Sequence, residues 1–356
     1  MQGAVAAGMP PLLVLHMVDA CDGWGFTRSG VYRTSDGGAR WSNVSPPRAA
    51  PTQPTAAASR PAPWVATDGE HAWRVYGLYR AGHPLEIERT FNGGKAWRSA
   101  ALVVPGGGAG VEHAALWFVN PEVGFLAAVA GAGGVWHALS VFRTSDGGAR
   151  WRQVGTVHSS QSARSTASSG SALPPVCGSV STMWNGSGLG MVVVGCPGNP
   201  GVLTTTDGGT VWKMRVLPAV TRTRHAWRLA PGGVRGESAS VVASGNEANG
   251  ATTALVYHTG DGGRTWRAGQ AITSHTLGFF ASFPNPEQGF LTGGSKLFRT
   301  TDGGAHWTSF VPNRNLDGIT QLDFVSPTLG FALMGTPAGI GLLRTTDGGH
   351  TWAVVR

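Results

Sequence analysis

The stretch Arg33-Thr-Ser-Asp-Gly-Gly-Ala-Arg-Trp41 returns letter for letter as Arg143-Thr-Ser-Asp-Gly-Gly-Ala-Arg-Trp151. Two identical nonapeptides 110 positions apart signal internal repetition, and repetition decides a fold before any single element does. Relaxing the match finds seven copies: Thr34–Trp41, Thr90–Trp97, Thr144–Trp151, Thr205–Trp212, Thr259–Trp266, Thr300–Trp307 and Thr345–Trp352. Their third residues are Asp36, Asn92, Asp146, Asp207, Asp261, Asp302 and Asp347, at intervals of 41 to 61 residues. Each interval holds a four-stranded antiparallel sheet with its loops, the size of one propeller blade.

A looser signal sits upstream of most copies. Phe118-Val-Asn-Pro-Glu-Val-Gly-Phe125, Phe283-Pro-Asn-Pro-Glu-Gln-Gly-Phe290 and Phe324-Val-Ser-Pro-Thr-Leu-Gly-Phe331 share one frame, and Trp184–Met191 and Met17–Trp24 fit it. Each ends a strand on an apolar residue, turns, and opens a second strand with Gly and another apolar residue. Blades two and five are degenerate here, at Val65–Trp73 and in the stretch around Trp227. The expected blade is strand A, turn, strand B, loop, strand C, the Asp-Gly-Gly turn, strand D. One such sheet leaves an apolar face bare, and seven set radially cover one another. The expected fold is all-β, a seven-bladed β-propeller. It forms a single domain over residues 1–356, with blades at about 12–46, 62–101, 111–157, 174–218, 223–270, 274–311 and 319–356.

The chemistry of the repeated turn is structural. An Asp carboxylate accepts backbone N–H groups just ahead of it and closes an Asx-type turn. Gly supplies positive φ, the Thr hydroxyl adds a local bond, and Trp opens strand D and packs on the blade. Asn92 keeps the acceptor oxygen and drops the charge. A turn tolerates that change, whereas a catalytic acid or hard-metal ligand does not. Setting the six turn aspartates aside leaves five Asp and eight Glu for other chemistry.

The motif resembles the Asp-box, or bacterial neuraminidase repeat, of sialidases, sortilin-type receptors, xyloglucan-degrading hydrolases and the photosystem II assembly-factor family. The chain is most similar to the last. It shares an apolar, then Gly-aromatic stretch followed by "RT-T/S-DGG-x-x-W", as at Phe324–Trp352, and the resemblance runs from about Leu12 to Arg356. It implies turns on the outer rim, a binding face elsewhere, and a role in assembling a membrane-protein complex. It is specific for fold and unspecific for function.

Composition bounds the rest. The 356 residues carry 55 Gly, 14 Trp and only 13% charged residues, which fits many turns and a packed core. The net charge of +8 comes from 24 Arg and three Lys, scattered without a basic run, so nucleic acid is not an expected partner. No apolar run reaches the roughly 18 residues of a membrane span. Pro11–Val18, with no basic residue before Arg28, is a poor signal peptide and reads as the first strand. An export signal upstream of the given start is expected. Cys177 and Cys196 have their midpoint at 186.5, inside the turn Asn185-Gly-Ser-Gly188. A symmetric hairpin sets them opposite each other, so a Cys177–Cys196 disulfide and an extracytoplasmic setting are expected, with Cys21 left as a buried thiol.

Candidate site residues are few. Thr221-Arg-Thr-Arg-His-Ala-Trp-Arg228 is the densest basic-aromatic stretch, and Arg74, Arg80 and His83 are expected on a neighbouring loop. If a binding patch exists, Arg80, Arg222, Arg224 and Arg228 are its candidates, because Arg forks bind carboxylates in pairs of bonds. The Arg-Ile-Pro signature of sialidases is missing, and Tyr32 and Tyr257 belong to C strands. Tyr76 and Tyr79, with Glu86 and Glu88 nearby, remain for a nucleophile role. A xyloglucanase-type reaction needs two opposed carboxylates, for which Asp22, Asp68, Glu112, Glu237 and Asp323 are available. Metal-binding spacings, a nucleophile elbow and a P-loop are all missing, so neither a cofactor nor a metal is expected. The reading is a non-catalytic protein-binding or assembly scaffold of the bacterial envelope. A glycan-cleaving or glycan-binding propeller is the alternative.

Overall fold

The computed structural model describes residues 9–27, 30–47, 63–132, 135–158, 180–194, 201–218, 227–247, 249–274, 279–293, 295–336 and 339–355. The fold is a seven-bladed β-propeller of four-stranded antiparallel meanders, with one short 3-10 turn at Gly107–Ala109 as the helix content of the described residues. Strands A to D of blade 1 are Val14–Met17, Gly23–Phe26, Val31–Thr34 and Ser42–Asn43. In blade 2 they are Trp64–Ala66, His71–Tyr76, Leu85–Phe91 and Arg98–Leu102; in blade 3, Val111–Phe118, Gly124–Ala132, Val135–Thr144 and Arg152–His158. Blade 4 uses Val180–Trp184, Gly190–Val194, Gly201–Thr205 and Lys213–Val216. Blade 5 uses Arg228–Arg235, Ser238–Asn246, Thr252–Thr259 and Arg267–Ala268, the last resumed as Ile272–Ser274 against the same partner strand. Blade 6 is Ala281–Ser282, Gly289–Gly293, Lys296–Thr300 and Thr308–Phe310, and blade 7 is Ile319–Phe324, Gly330–Thr336, Gly339–Thr345 and Ala353–Val354.

Three details differ from the sequence reading. Blade 5 runs to Ser274 instead of 270 because Gly269 and Gln270 form an irregular step: Gly269 N–H reaches Val256 O while Gln270 N–H crosses to Gly304 O of blade 6. The A–B corner of blade 5 is Gly236-Glu237, not the stretch around Trp227, which precedes strand A. The motif tryptophans also stand just before strand D and do not open it.

Neighbouring A strands touch one another between blades, so they form the innermost layer. The D strands are largely exposed and form the rim. Apolar residues gather into seven clusters, one in each interface between consecutive blades. The core is therefore a ring of inter-blade cores. Each repeat is stable only beside its neighbours.

The repeated turn closes in the same way seven times. The Thr hydroxyl donates to the third residue's Oδ1 at 2.7–3.1 Å, Asn92 included. The second Gly N–H donates to that hydroxyl at 2.8–3.1 Å. The N–H just before the Trp donates to Oδ1 at 2.8–3.0 Å. The first Gly N–H reaches the A–B corner of its own blade, as in Gly37 to Cys21 O at 2.7 Å and Gly348 to Thr328 O at 2.9 Å. A–B and C–D corners thus share one face of the disc, and B–C and D–A loops occupy the other.

Among the described residues the ring closes without strand exchange. Blade 7 is built from consecutive strands, and its A strand grips the open edge of blade 1 through side chains. Leu15 N–H donates to Gln321 Oε1 and Met17 N–H to Asp323 Oδ2, both at 2.7 Å, while Gln321 Nε2 donates to Leu15 O. Leu12, Leu15 and Met17 then pack on Phe331, Leu333 and Leu342.

Candidate functional site

The corner face holds three of the five carboxylates considered for hydrolysis. Asp22 accepts from Arg33 at 3.0 Å, and the same guanidinium reaches Glu70 of blade 2 at 3.1 Å. Asp68 takes His71 Nδ1 and the Glu70 N–H, each at 2.8 Å. Burial works against its charge, but these donors outweigh burial and hold the carboxyl below its usual range. Glu237 is exposed and faces Arg264 at 3.9 Å.

The other two lie on A strands at different depths. Asp323 stands one residue before the corner, hydrogen-bonded to the blade 1 edge. It is enclosed by protein yet half-buried by surface, as befits the inner wall of a ring. Burial lifts its carboxyl above the usual range, against His16 and the Met17 N–H. Glu112 is the second residue of its strand, six before the corner residue Phe118. The two depths therefore differ by about five residues, or roughly 16 Å at ~3.3 Å per residue.

Strand pairing in blade 2 puts Arg74 opposite Glu88. They form an almost fully buried ion pair, Nε to Oε2 at 2.6 Å, so Arg74 is a core group and not a loop residue as expected. Its guanidinium lies 4.4 Å over the Tyr76 ring. Burial, reinforced by Glu88 and opposed by Arg74, pushes the Tyr76 hydroxyl up to about 12. A phenol raised this far is a poor nucleophile at neutral pH. Tyr79, at φ 61, is the single non-glycine residue with positive φ among the described residues. Its loop, carrying Arg80 and His83, is tied to the next linker by Tyr79 N–H to Val111 O at 2.8 Å and Gly82 N–H to Gly108 O at 3.2 Å.

Arg80 and Arg228 both reach the loop face, but from blades 2 and 5, nearly opposite on the ring. The structure does not bring them into one patch. Arg222 and Arg224 lie outside the described residues, as do Cys177 and Cys196. The hairpin between the cysteines pairs Val180 with Val194 and Trp184 with Gly190, so it is centred on Ser187, not on 186.5. Cys21 is exposed, not buried, because it sits in the A–B corner of blade 1.

Arg228 lies on the lip of a hollow of about 200 Å³ on the loop face, where the A strands of blades 5, 6 and 7 approach. Val242, Phe279, Phe280 and Leu322 supply its walls, with Ser244 beside Arg228. Four of the exposed large apolar residues stand at strand ends towards the same face: Leu13 (44% exposed) just before the first strand, Val216 (64%) at the end of a D strand, and Val103 (76%) and Val311 (67%) just after D strands. Of its lining, the sequence singles out Arg228 in the hollow; the apolar walls carry no sequence signal.

A second hollow, about 310 Å³, lies on the corner face beside His258, Asp261, Thr265 and Arg267. Ser238 Oγ stands 3.1 Å from His258 Nε2 and 2.6 Å from Glu287 Oε1. The serine has one proton and gives it to the carboxylate. His258 Nε2 must then donate to the hydroxyl, so it cannot act as the base that a serine nucleophile requires. Burial keeps His258 below its usual range, with Arg267 helping and Glu287 opposing. Among the described residues, no helix is long and apolar enough to cross a membrane, and no group of three His, Cys, Asp or Glu is placed to hold a metal.

No family model and no curated protein matches this chain. Solved structures do match its fold. The GH74 xyloglucanase of Xanthomonas campestris aligns with 98% of this chain and 55% of its own, at 16% identity and a TM-score of 0.60. This chain thus spans about half the length of that enzyme. YCF48 from Cyanidioschyzon merolae aligns with 97% of this chain and 99% of its own, at 19% identity and 0.55. A PL25 ulvan lyase bound to a GlcA(1-4)Rha3S unit aligns with 99% and 97%, at 11% identity and 0.57. At these identities the likeness is one of fold.

Proposed function

We propose that this chain is a non-catalytic binding scaffold that meets a protein partner on its loop face. The observation carrying this reading is the division of labour between the two faces. The loop face holds the Arg228 hollow and a rim of exposed valines. Of the five carboxylates considered for a xyloglucanase-type reaction, three are at corners on the other face, and the two on A strands stand about 16 Å apart in depth; of the two beside Tyr76, Glu88 is locked to Arg74 and Glu86 stands at the loop end of its strand. A retaining or inverting pair needs roughly 5–10 Å. An unpaired cation at an apolar hollow, on a face that also exposes apolar side chains, suits a protein interface, whose anchors are apolar and Arg-rich. The resemblance to the assembly-factor family supports the same reading and makes a membrane-protein complex outside the cytoplasm the expected partner.

The experiment has two arms. Purified protein is incubated with sialosides, xyloglucan and ulvan, and product is followed by mass spectrometry. Separately, envelope proteins are cross-linked to the wild type and to a Val103→Asp, Val216→Asp, Val311→Asp variant. No turnover, with capture lost in the variant, is the expected result. Turnover that disappears in Asp323→Asn or Glu86→Gln would replace the scaffold with a glycan-cleaving enzyme.

A further inference from the structure

Resting on the reading of the loop face as a binding surface, we infer that the hollow between blades 5, 6 and 7 anchors the free carboxyl end of a partner chain whose last residue is apolar. The ladder of blade 5 sets Arg228 opposite Ser244 and Ala230 opposite Val242. Residues paired across a ladder, and those two apart along a strand, share one face of the sheet. That face carries a guanidinium and a hydroxyl side by side above two small apolar side chains. Phe279 belongs to the cluster between blades 5 and 6, and Phe280 packs on the cluster between blades 6 and 7. The main chain of Phe280 is bonded in both directions to Thr292. The walls are therefore held in place before any ligand arrives.

The polar groups divide sharply. Gln321 also lines the hollow, but its amide is engaged at both ends with Leu15. Arg228 is exposed, and neither its guanidinium nor the Ser244 hydroxyl has a hydrogen-bond or ion-pair partner among the described residues. An unpaired cation and a donor at the lip of an apolar hollow match an anionic head on an apolar body. A carboxylate takes two parallel N–H bonds from the Arg fork and a third from the hydroxyl.

Size selects the bearer of that carboxylate. At about 200 Å³ the hollow is smaller than the roughly 300–1,000 Å³ of sites that enclose a whole small-molecule ligand. It suits one side chain of something larger. A chain end carries its carboxylate and its last side chain on the same Cα, so one residue meets both the fork and the walls. An internal Asp or Glu needs a second residue to fill the walls. The net charge of +8 favours approach of an anionic end.

The test uses the whole chain and defined probes. N-acetyl-L-phenylalanine and N-acetyl-L-leucine are titrated against their C-terminal amides, with binding followed by ligand-observed NMR. The acids are expected to bind roughly tenfold or more tighter than the amides. Arg228→Gln removes that preference, and Arg228→Lys restores part of it. Arg228 is exposed, so these variants keep the wild-type melting temperature. Val242→Phe, which fills the hollow, weakens acid and amide alike. Equal binding of acid and amide, or acid binding unchanged in Arg228→Gln, overturns the inference. A preference for hydrocinnamate over N-acetyl-L-phenylalanine overturns the chain-end occupant in favour of a small-molecule acid. The triple valine variant leaves acid binding intact while losing capture of the partner protein, so failure here is distinguishable from failure of the scaffold reading.

Discussion

At the scale of single residues, the second glycine of each turn has two constraints. It holds φ between 80 and 100° in all seven copies. A Cβ there also meets the preceding blade: at Gly94 it would lie 2.5 Å from Val44 Cβ, at Gly304 2.6 Å from Val256 Cβ, and at Gly349 it would overlap Leu297. Backbone strain and an inter-blade clash combine, so Gly349→Ala is expected to cost about 2–4 kcal/mol in chemical denaturation. The turn acid is more forgiving. Asn92 accepts from Thr90 at 3.1 Å and from Ala96 N–H at 2.8 Å, as the aspartates do. Asp302→Asn is therefore expected to cost less than Asp302→Ala, which removes the bonds from the Thr300 hydroxyl and the His306 N–H, at about 1 kcal/mol each, as well as the exposed contact from His306 Nδ1. Equal losses in the two variants, read from denaturant midpoints, would refute that ranking. The sequence announced this motif because its bonds are local, within six residues. Arg74 was misread because its partner Glu88 becomes its neighbour only once two strands pair.

At the scale of elements, the loose Gly-aromatic signal was visible but its purpose was not. The aromatic that ends strand A stacks on the aromatic of strand B in the preceding blade: Phe118 on Trp73 at 3.7 Å, Trp184 on Phe125 at 3.7 Å, Phe324 on Phe290 at 3.5 Å. The glycine opening strand B lies beneath its own blade's A-strand ring, Gly124 under Phe118 at 2.5 Å from a notional Cβ. The turn tryptophan meets the same ring edge-on, Trp151 on Phe118 at 6.0 Å and Trp352 on Phe324 at 5.9 Å. One frame of eight residues thus encodes contacts to both neighbouring blades, across separations of 34 to 59 residues, which periodicity alone cannot reveal. Phe324→Ala empties this junction and is expected to cost about 3–5 kcal/mol, measured as a shift of the unfolding midpoint. The candidate site was legible only at Arg228, for a similar reason. Three blades contribute to the Arg228 hollow, and only the register shows Ser244 beside Arg228.

The corner elements also set the acid limit of the fold. Asp146, Asp261 and Asp347 are held at about 2. For Asp146 the Arg150 side chain is the main cause; for Asp261 and Asp347 burial opposes, and the Thr265 and Thr351 hydroxyls and N–H groups prevail. A carboxyl lowered in the fold stabilises above its unfolded value and loses that contribution as pH falls through its folded value. Stability from the corners is therefore expected to persist to about pH 4 and to fall away between about 4 and 2. A melting temperature flat across that window would contradict this assignment.

At the scale of the whole molecule, the ring depends on a seam that the repeats did not foretell. Seven copies of a motif say that blades follow one another; they do not say how the last meets the first. Here the meeting is made by Gln321 and Asp323 on the edge of blade 1, at the residues where strand A carries polar side chains inward. Asp323 has the opposite sign from the corner acids. Burial lifts it, and His16 and the Met17 N–H only partly compensate. A raised acid binds its proton more tightly in the fold, so its contribution is favourable at low pH and is lost as pH rises from the ordinary carboxylate range through the raised value. The seam is thus less stable at neutral pH than it would be with a neutral acceptor of the same shape. Asp323→Asn keeps an oxygen for the Met17 N–H and removes the buried charge. It is expected to raise the melting temperature by about one or two degrees at pH 7. That gain should shrink as pH falls through the raised value toward the ordinary carboxylate range, as the wild-type carboxyl takes up its proton. A variant less stable than wild type at pH 7 would mean that the charge itself holds the ring shut.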